Sequence, residues 1–297
     1  MRTKTTFTAL TAAFLLLGLA GPSCAEDYDA RLSTFTGSVD VLAAGETDSW
    51  REAEADMPLE AGDKVRTAQD SSAELTLDGG GLLRLGENSS TELSSLKTGS
   101  SSFFLRAGSL VAKIKGLLKA GQRFGVRTPA AVCAIRGTEF GVEHDEEGGE
   151  TTAGVFDEGS LSVSSLDGDG APIAEEMVEK GDEVNLRAGQ RKFKPARMRR
   201  LIRHRKVLLA ARGRLAKLGK NWKRLPQGKR QELRERFMQR KAFQGRRVKK
   251  VRAARGRGAA GAGKGAAAPK PSGDRAKKVK KRAAARRALK GRRGANK

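Results

Sequence analysis

The chain is short of the residues on which most enzymes depend. It has two histidines, two cysteines, two tryptophans and one tyrosine in 297 residues. No Ser/His/acid or Cys/His constellation is apparent, and no cofactor or bound metal is expected. Two cysteines cannot supply a disulfide framework either. Aromatic residues make up 5% of the chain and none follows Phe243, which argues against stacking on single-stranded nucleic acid at the C-terminal end. Long apolar runs are also missing. The longest, residues 7–20, is broken by Thr8, Thr11 and Gly18, and falls short of the roughly 20 residues of a membrane span.

What the chain has in plenty is charge, sorted by position. Residues 26–186 carry 14 Lys and Arg against 31 Asp and Glu, whereas residues 187–297 carry 43 against three. The net charge of +25 therefore averages an acidic body of −17 and a basic C-terminal part of +40.

Residues 1–25 read as a secretory signal peptide. Arg2 and Lys4 precede the apolar run, Gly21-Pro22 ends it, and Ser23-Cys24-Ala25 offers small residues for signal peptidase. Cleavage after Ala25 implies a periplasmic or secreted chain without a transmembrane span. A lipoprotein anchor on Cys24 is the competing reading, disfavoured because Gly21-Pro22-Ser23 lacks the usual Leu. Cys133, in the apolar run 130–135 with no nearby His, is expected to be a buried structural thiol.

Residues 26–190 read as an all-β body. Val39-Asp40-Val41, Ala73-Glu74-Leu75-Thr76-Leu77 and Leu161-Ser162-Val163 alternate with period two, and glycines separate such runs. About 10–13 short strands are expected, in a sandwich, a roll or a short β-solenoid. Leu59 to Val65 and Val178 to Val184 share an apolar-x-x-Gly-Asp-x-Val core, a tight turn feeding a strand.

Phe124-Gly125-Val126-Arg127-Thr128-Pro129, then Ile135-Arg136-Gly137-Thr138-Glu139-Phe140-Gly141-Val142, then Asp157-Glu158-Gly159-Ser160-Leu161 follow in order. This series resembles the signature of the FecR domain, and the resemblance extends over about residues 35–165. It implies a periplasmic protein-interaction module, without the sigma-regulator and transmembrane segments that precede it in the members for which the family is named. Pro129 fixes φ and pushes Thr128 toward extended geometry. The apolar set changes phase between Ile135 and Phe140, so a bulge is expected at Gly137. Arg136 would then pair with Glu139 or bond turn carbonyls. Thr128, Pro129, Arg136, Gly137, Thr138, Glu139, Phe140, Glu158 and Gly159 are expected to hold the fold rather than perform chemistry.

Three local patterns suggest other chemistry. Asp167-Gly168-Asp169-Gly170 opens like an EF-hand loop, but Ala171 and Val178 stand where ligands belong. Residues 258–264 imitate a phosphate-binding loop, with Gly265 where Ser or Thr must follow the lysine. His144 lies among acids in residues 143–150, where a solvated hairpin tip is expected and a cation site is the alternative.

Residues 191–245 place Met198, Leu201, Ile202, Leu208, Leu209, Leu215 and Leu218 at helical spacing from Pro195 to about Lys220. Pro226 suits the start of a second helix carrying Leu233, Phe237 and Met238. The pair would close its own stripe as a hairpin or dock as a basic amphipathic segment on an anionic surface. Residues 246–297 hold 21 Lys and Arg, one acid and four apolar residues beyond alanine, a composition expected to be disordered when free. Lys277, Lys278, Lys280, Lys281, Arg282, Arg286, Arg287, Lys290, Arg292 and Arg293 are its expected polyanion contacts. The chain thus reads as a non-enzymatic exported scaffold, meeting an envelope protein through its body and an anionic envelope polymer or lipid surface through its tail. The acidic body is a further partner for that tail. Nucleic acid, bound through counterion release, is the second reading.

Overall fold

Glycine and aspartate turns divide the body into strands, several of them too apolar to leave either face in water. A computed structural model describes residues 28–242, apart from Gly79, residues 115–122 and residues 137–138. The first half supplies β1 (Ala30–Thr36), β2 (Val39–Leu42), β3 (Arg51–Glu52), β4 (Met57–Leu59), β5 (Lys64–Thr67), β6 (Ser72–Leu77), β7 (Gly81–Leu85) and β8 (Ser90–Lys97). The long β9 (Ser100–Ile114) follows. The second half supplies β10 (Arg123–Arg127), β11 (Ala131–Ile135), β12 (Glu139–Asp145), β13 (Glu150–Val155), β14 (Leu161–Leu166), β15 (Pro172–Val178), β16 (Asp182–Arg187) and β17 (Ala196–Arg197). Seventeen strands exceed the expected 10–13, in part because β3 and β17 are two-residue pairings with no apolar run to announce them.

The strands form two sheets that share β9. One runs β3-β2-β5-β8-β9-β10-β11-β14-β15. The other runs β4-β1-β6-β7-β9-β12-β13-β16-β17. Residues 100–107 of β9 lie in the first sheet, and residues 108–114 in the second. Gly108 makes the crossing, with φ at +84°. A Cβ there would meet the Ser89 Cα at 2.5 Å, so only glycine fits.

Between the sheets lies one core. Phe103 and Phe124 pack as a tilted pair at 5.3 Å between ring centroids, and Phe124 and Phe140 as another at 6.1 Å. Cys133 is buried in this core, and burial pushes its thiol up to about 12. The phase change between Ile135 and Phe140 has a larger cause than a bulge: the chain leaves the first sheet at the end of β11 and enters the second at β12. Gly137 and Thr138, where the bulge was expected, lie outside the described residues.

The basic segment begins as a strand, not as a helix. β17 pairs with β16, and a 3-10 turn over Leu201–His204 leads into α1 (Arg205–Asn221). The Glu183 carboxylate shifts the helix start, because it accepts the backbone N–H groups of Arg199, Arg200 and Leu201 at 2.9–3.0 Å. Pro226 then caps α2 (Gln227–Met238). The apolar stripe of α1 closes on the second sheet rather than on α2. Leu208 joins Val111, Phe156 and Leu201, while Ala211 and Leu215 pack with Leu82. Phe237 of α2 is fully buried in the main core. No helix among the described residues is long and apolar enough to cross a membrane.

Candidate functional site

The outer face of the second sheet explains why residues 198–242 adhere to it. The strand register aligns Leu82, Lys113 and Glu139 in one row, and Arg84, Val111, Gly141, Gly154 and Glu183 in the next. Two adjacent glycines leave a trough in the second row. Leu201 fills it: a Cβ on Gly154 would lie 3.0 Å from the Leu201 Cδ1, and one on Gly141 3.6 Å from its Cδ2. Apolar contact seats the segment, and charge surrounds the seat.

Each end of the segment meets carboxylates of the body. Arg200 pairs with Glu150, and Arg203 reaches Glu143 at 2.6 Å. His204 bonds the same Glu143 oxygen through Nε2. Arg212 holds both Glu139 oxygens at 2.6 Å and Asp157 at 2.6 Å. Arg214 reaches the buried Glu74 at 2.6 Å. Beyond α1, Arg224 binds Asp78 at 2.7 Å and Arg230 binds Asp29 at 2.8 Å. Arg234 grips both oxygens of the fully buried Asp63, and Arg240 reaches Glu54 at 2.7 Å. Bidentate arginine suits this work because its planar fork matches a carboxylate.

Burial would raise the Glu139 carboxyl, but hydrogen bonds from Arg212 and Lys113 hold it below its ordinary value. Glu143 is likewise held low, by His204 and Arg203, against the effect of burial. For Arg234, burial would lower the guanidinium, yet Asp63 keeps it above its usual value. These groups stay charged because their partners are in place. A cleft of about 700 Å³ opens beside the joint, lined by Glu143, His144, Glu150, Arg200, Arg203 and His204 among others.

The expected motif residues take structural places. Thr128 is buried, and its hydroxyl accepts the N–H groups of Ala130 and Ala131 at 3.3 and 3.0 Å. It also lies 2.8 Å from the Thr151 hydroxyl. Pro129 is exposed in the turn that follows. Phe140 is in the core, and Gly159 has a φ of +98°. Glu139 does not pair with Arg136. Lys113 at 2.8 Å and Arg212 hold it instead, while Lys113 also reaches Glu158 at 2.9 Å. The Arg136 side chain is exposed, and its backbone N–H donates to the Ser160 carbonyl at 3.0 Å. His144 is not at a solvated tip. It is buried because β12 continues through Asp145, and its Nδ1 lies 2.9 Å from the Thr151 hydroxyl.

The ten expected polyanion contacts from Lys277 to Arg293 lie outside the described residues, as does the loop-like run 258–264. Sequence reasoning missed Asp29, Glu74, Asp63, Glu143 and Glu183 as partners of the basic segment. Their signal was present only as the body's excess of acids. The shared Gly-Asp turns mark Asp63 and the residue before Glu183, yet do not say which basic group each would meet.

No curated protein matches the chain. Two crystal structures described as those of a putative anti-sigma factor from Parabacteroides distasonis are similar to it at 13% and 14% identity. The similarities cover 46% and 50% of this chain and 61% and 65% of the others, with TM-scores of 0.39 and 0.40. The chain thus spans less than two thirds of either. A family model described as FecR protein matches residues 63–160, from the buried Asp63 through the crossing at Gly108 to the strand entry after Gly159, and over that stretch the chain is similar to the FecR family.

Proposed function

We propose that this chain is an exported, non-enzymatic regulatory scaffold. Its FecR body meets an envelope protein, and residues 246–297 hold it to an anionic envelope polymer or lipid surface. One observation carries the reading: the arginines of residues 200–240 are engaged by the body's own carboxylates. The 21 Lys and Arg beyond residue 245 accompany a single acid, so that stretch is the part whose charge calls for an outside partner. A polycation of this density binds anionic surfaces through electrostatics that salt screens.

The test compares the full chain with one ending at Ala242, which keeps the docked helices. The full chain is expected in the envelope fraction and released by about 0.5 M salt, and the shortened chain is expected to be held there less firmly and released at lower salt. A cytosolic location, or attachment unchanged by both salt and truncation, overturns the reading. Nucleic-acid binding is the second reading, favoured by the same 21 cations. Duplex DNA binding that survives excess heparin would support it over envelope attachment.

A further inference from the structure

Helix α1 is amphipathic twice. Its inner stripe, Leu208, Ala211 and Leu215, is buried against the sheet. The opposite side carries Leu209, Ala210, Gly213 and Ala216 in the open, with Ile202 just before the helix on the same exposed flank. Ile202 is 44% exposed and Leu209 50%, two of the four large apolar side chains exposed among the described residues. The cations are sorted as well. Arg203, Arg205, Arg212 and Arg214 turn to body carboxylates. Lys206, Lys217 and Lys220 point outward and enter no ion pair among the described residues.

We propose that this outer face of α1, with Ile202 and Leu209 set among Lys206, Lys217 and Lys220, docks on an anionic phospholipid bilayer. The inference rests on the envelope reading above and names the surface. A helix of 17 residues lies flat over about 25 Å. Apolar side chains flanked by lysines are the pattern that enters the headgroup boundary, with the ammonium groups reaching the lipid phosphates. A hydrated acidic polymer would satisfy the lysines but gives Ile202 and Leu209 nothing to enter. A protein partner would favour arginines and aromatics at its centre, whereas this face offers lysine and small residues.

The test is co-sedimentation of the full chain with phosphatidylcholine vesicles, with or without phosphatidylglycerol, alongside heparin retention as a readout of the tail. The wild-type chain is expected to pellet with phosphatidylglycerol vesicles and not with phosphatidylcholine alone. Ile202→Glu with Leu209→Glu is expected to lower the vesicle partition about tenfold or more, with heparin retention and melting temperature unchanged. Lys206→Glu with Lys217→Glu should act in the same direction and disturbs no buried group. Equal vesicle binding by the wild type and both variants overturns the inference and leaves the tail's role standing. Heparin retention without any vesicle binding does the same. Loss of both heparin and vesicle binding in the wild type instead overturns the envelope reading itself.

Discussion

Arg212 closes on Glu139 through two parallel hydrogen bonds of 2.6 Å, across 73 residues of chain. Glu139 belongs to the ordered FecR motif, and its strongest partner lies outside the matched residues, on a helix that follows them. Lys113 approaches the same carboxylate at 2.8 Å. Replacing Arg212 by Met therefore leaves Glu139 with Lys113 and Asp157 with Arg205, one cation each. Urea unfolding of Arg212→Met is expected to show a loss of about 1–3 kcal/mol. Glu139→Ala, which empties a buried site and takes from Lys113 and Arg212 the carboxylate they share, should cost more. Equal stability of all three chains would show that α1 is not held by this pair.

How much of this was legible beforehand depends on range. The alternation Ala73-Glu74-Leu75-Thr76-Leu77 announced β6 correctly, because a strand's period is local. The outer apolar face of β7, where Leu82 meets Ala211 and Leu215 of α1, had no local signature. The stripe of α1 was readable from Leu208 and Leu215, but its partner was not. Whether an apolar stripe closes on a neighbouring helix or on a distant sheet depends on the trough at Gly141 and Gly154. That trough exists only once β12 and β13 are in register. Glu183 delayed the helix start for the same reason: its carboxylate is supplied by tertiary structure.

Asp63 and Asp182 occupy corresponding places in the two self-similar Gly-Asp turns, but their surroundings differ. Asp63 is fully buried. It accepts the N–H groups of Ala44 and Glu60, each at 2.9 Å, together with the Arg234 fork. Asp182 faces Arg197 at 3.4 Å, and that arginine is 83% exposed. Asp63→Ala is expected to cost about 3–5 kcal/mol, because Arg234 loses a buried partner and two amides lose their acceptor. Asp182→Ala is expected to cost less than about 1 kcal/mol. Denaturant midpoints of the two variants, measured side by side, check the contrast.

Phe237 is the point at which the basic segment enters the main core. Arg51 and Arg234 lie over its ring at 5.7 Å each. Phe237→Ala should cost about 3–5 kcal/mol, the usual range for emptying a buried phenylalanine site. A chain ending at Ala242 should melt with the full protein, and one ending at Pro226 well below it. Calorimetric melts of the three chains would decide this. If the shortest were as stable as the others, α2 would be an appendage rather than a part of the fold.

Acid should loosen the docked segment in two stages. Burial holds the His144 imidazole below its ordinary value, against the pull of Asp145 and Glu146. Below about pH 6.5, the unfolded chain takes up a proton that the folded chain resists. Stability therefore falls as pH drops through that region. Glu139 and Glu143 have carboxyls held below the ordinary value by their cationic partners. Their contribution is fully present above about pH 4.3, the ordinary glutamate value, and is lost as pH falls through the folded values. The melting temperature should thus be level near neutrality, decline modestly from about pH 6.5, and decline more steeply below about pH 4.3. His144→Gln should flatten the first decline and leave the second. Glu143→Gln should weaken the second, because His204 and Arg203 lose a charged partner on the sheet. A wild-type profile already level from about pH 7 to about pH 5 would remove His144 from the account and leave the carboxylates as the acid-sensitive part of the joint.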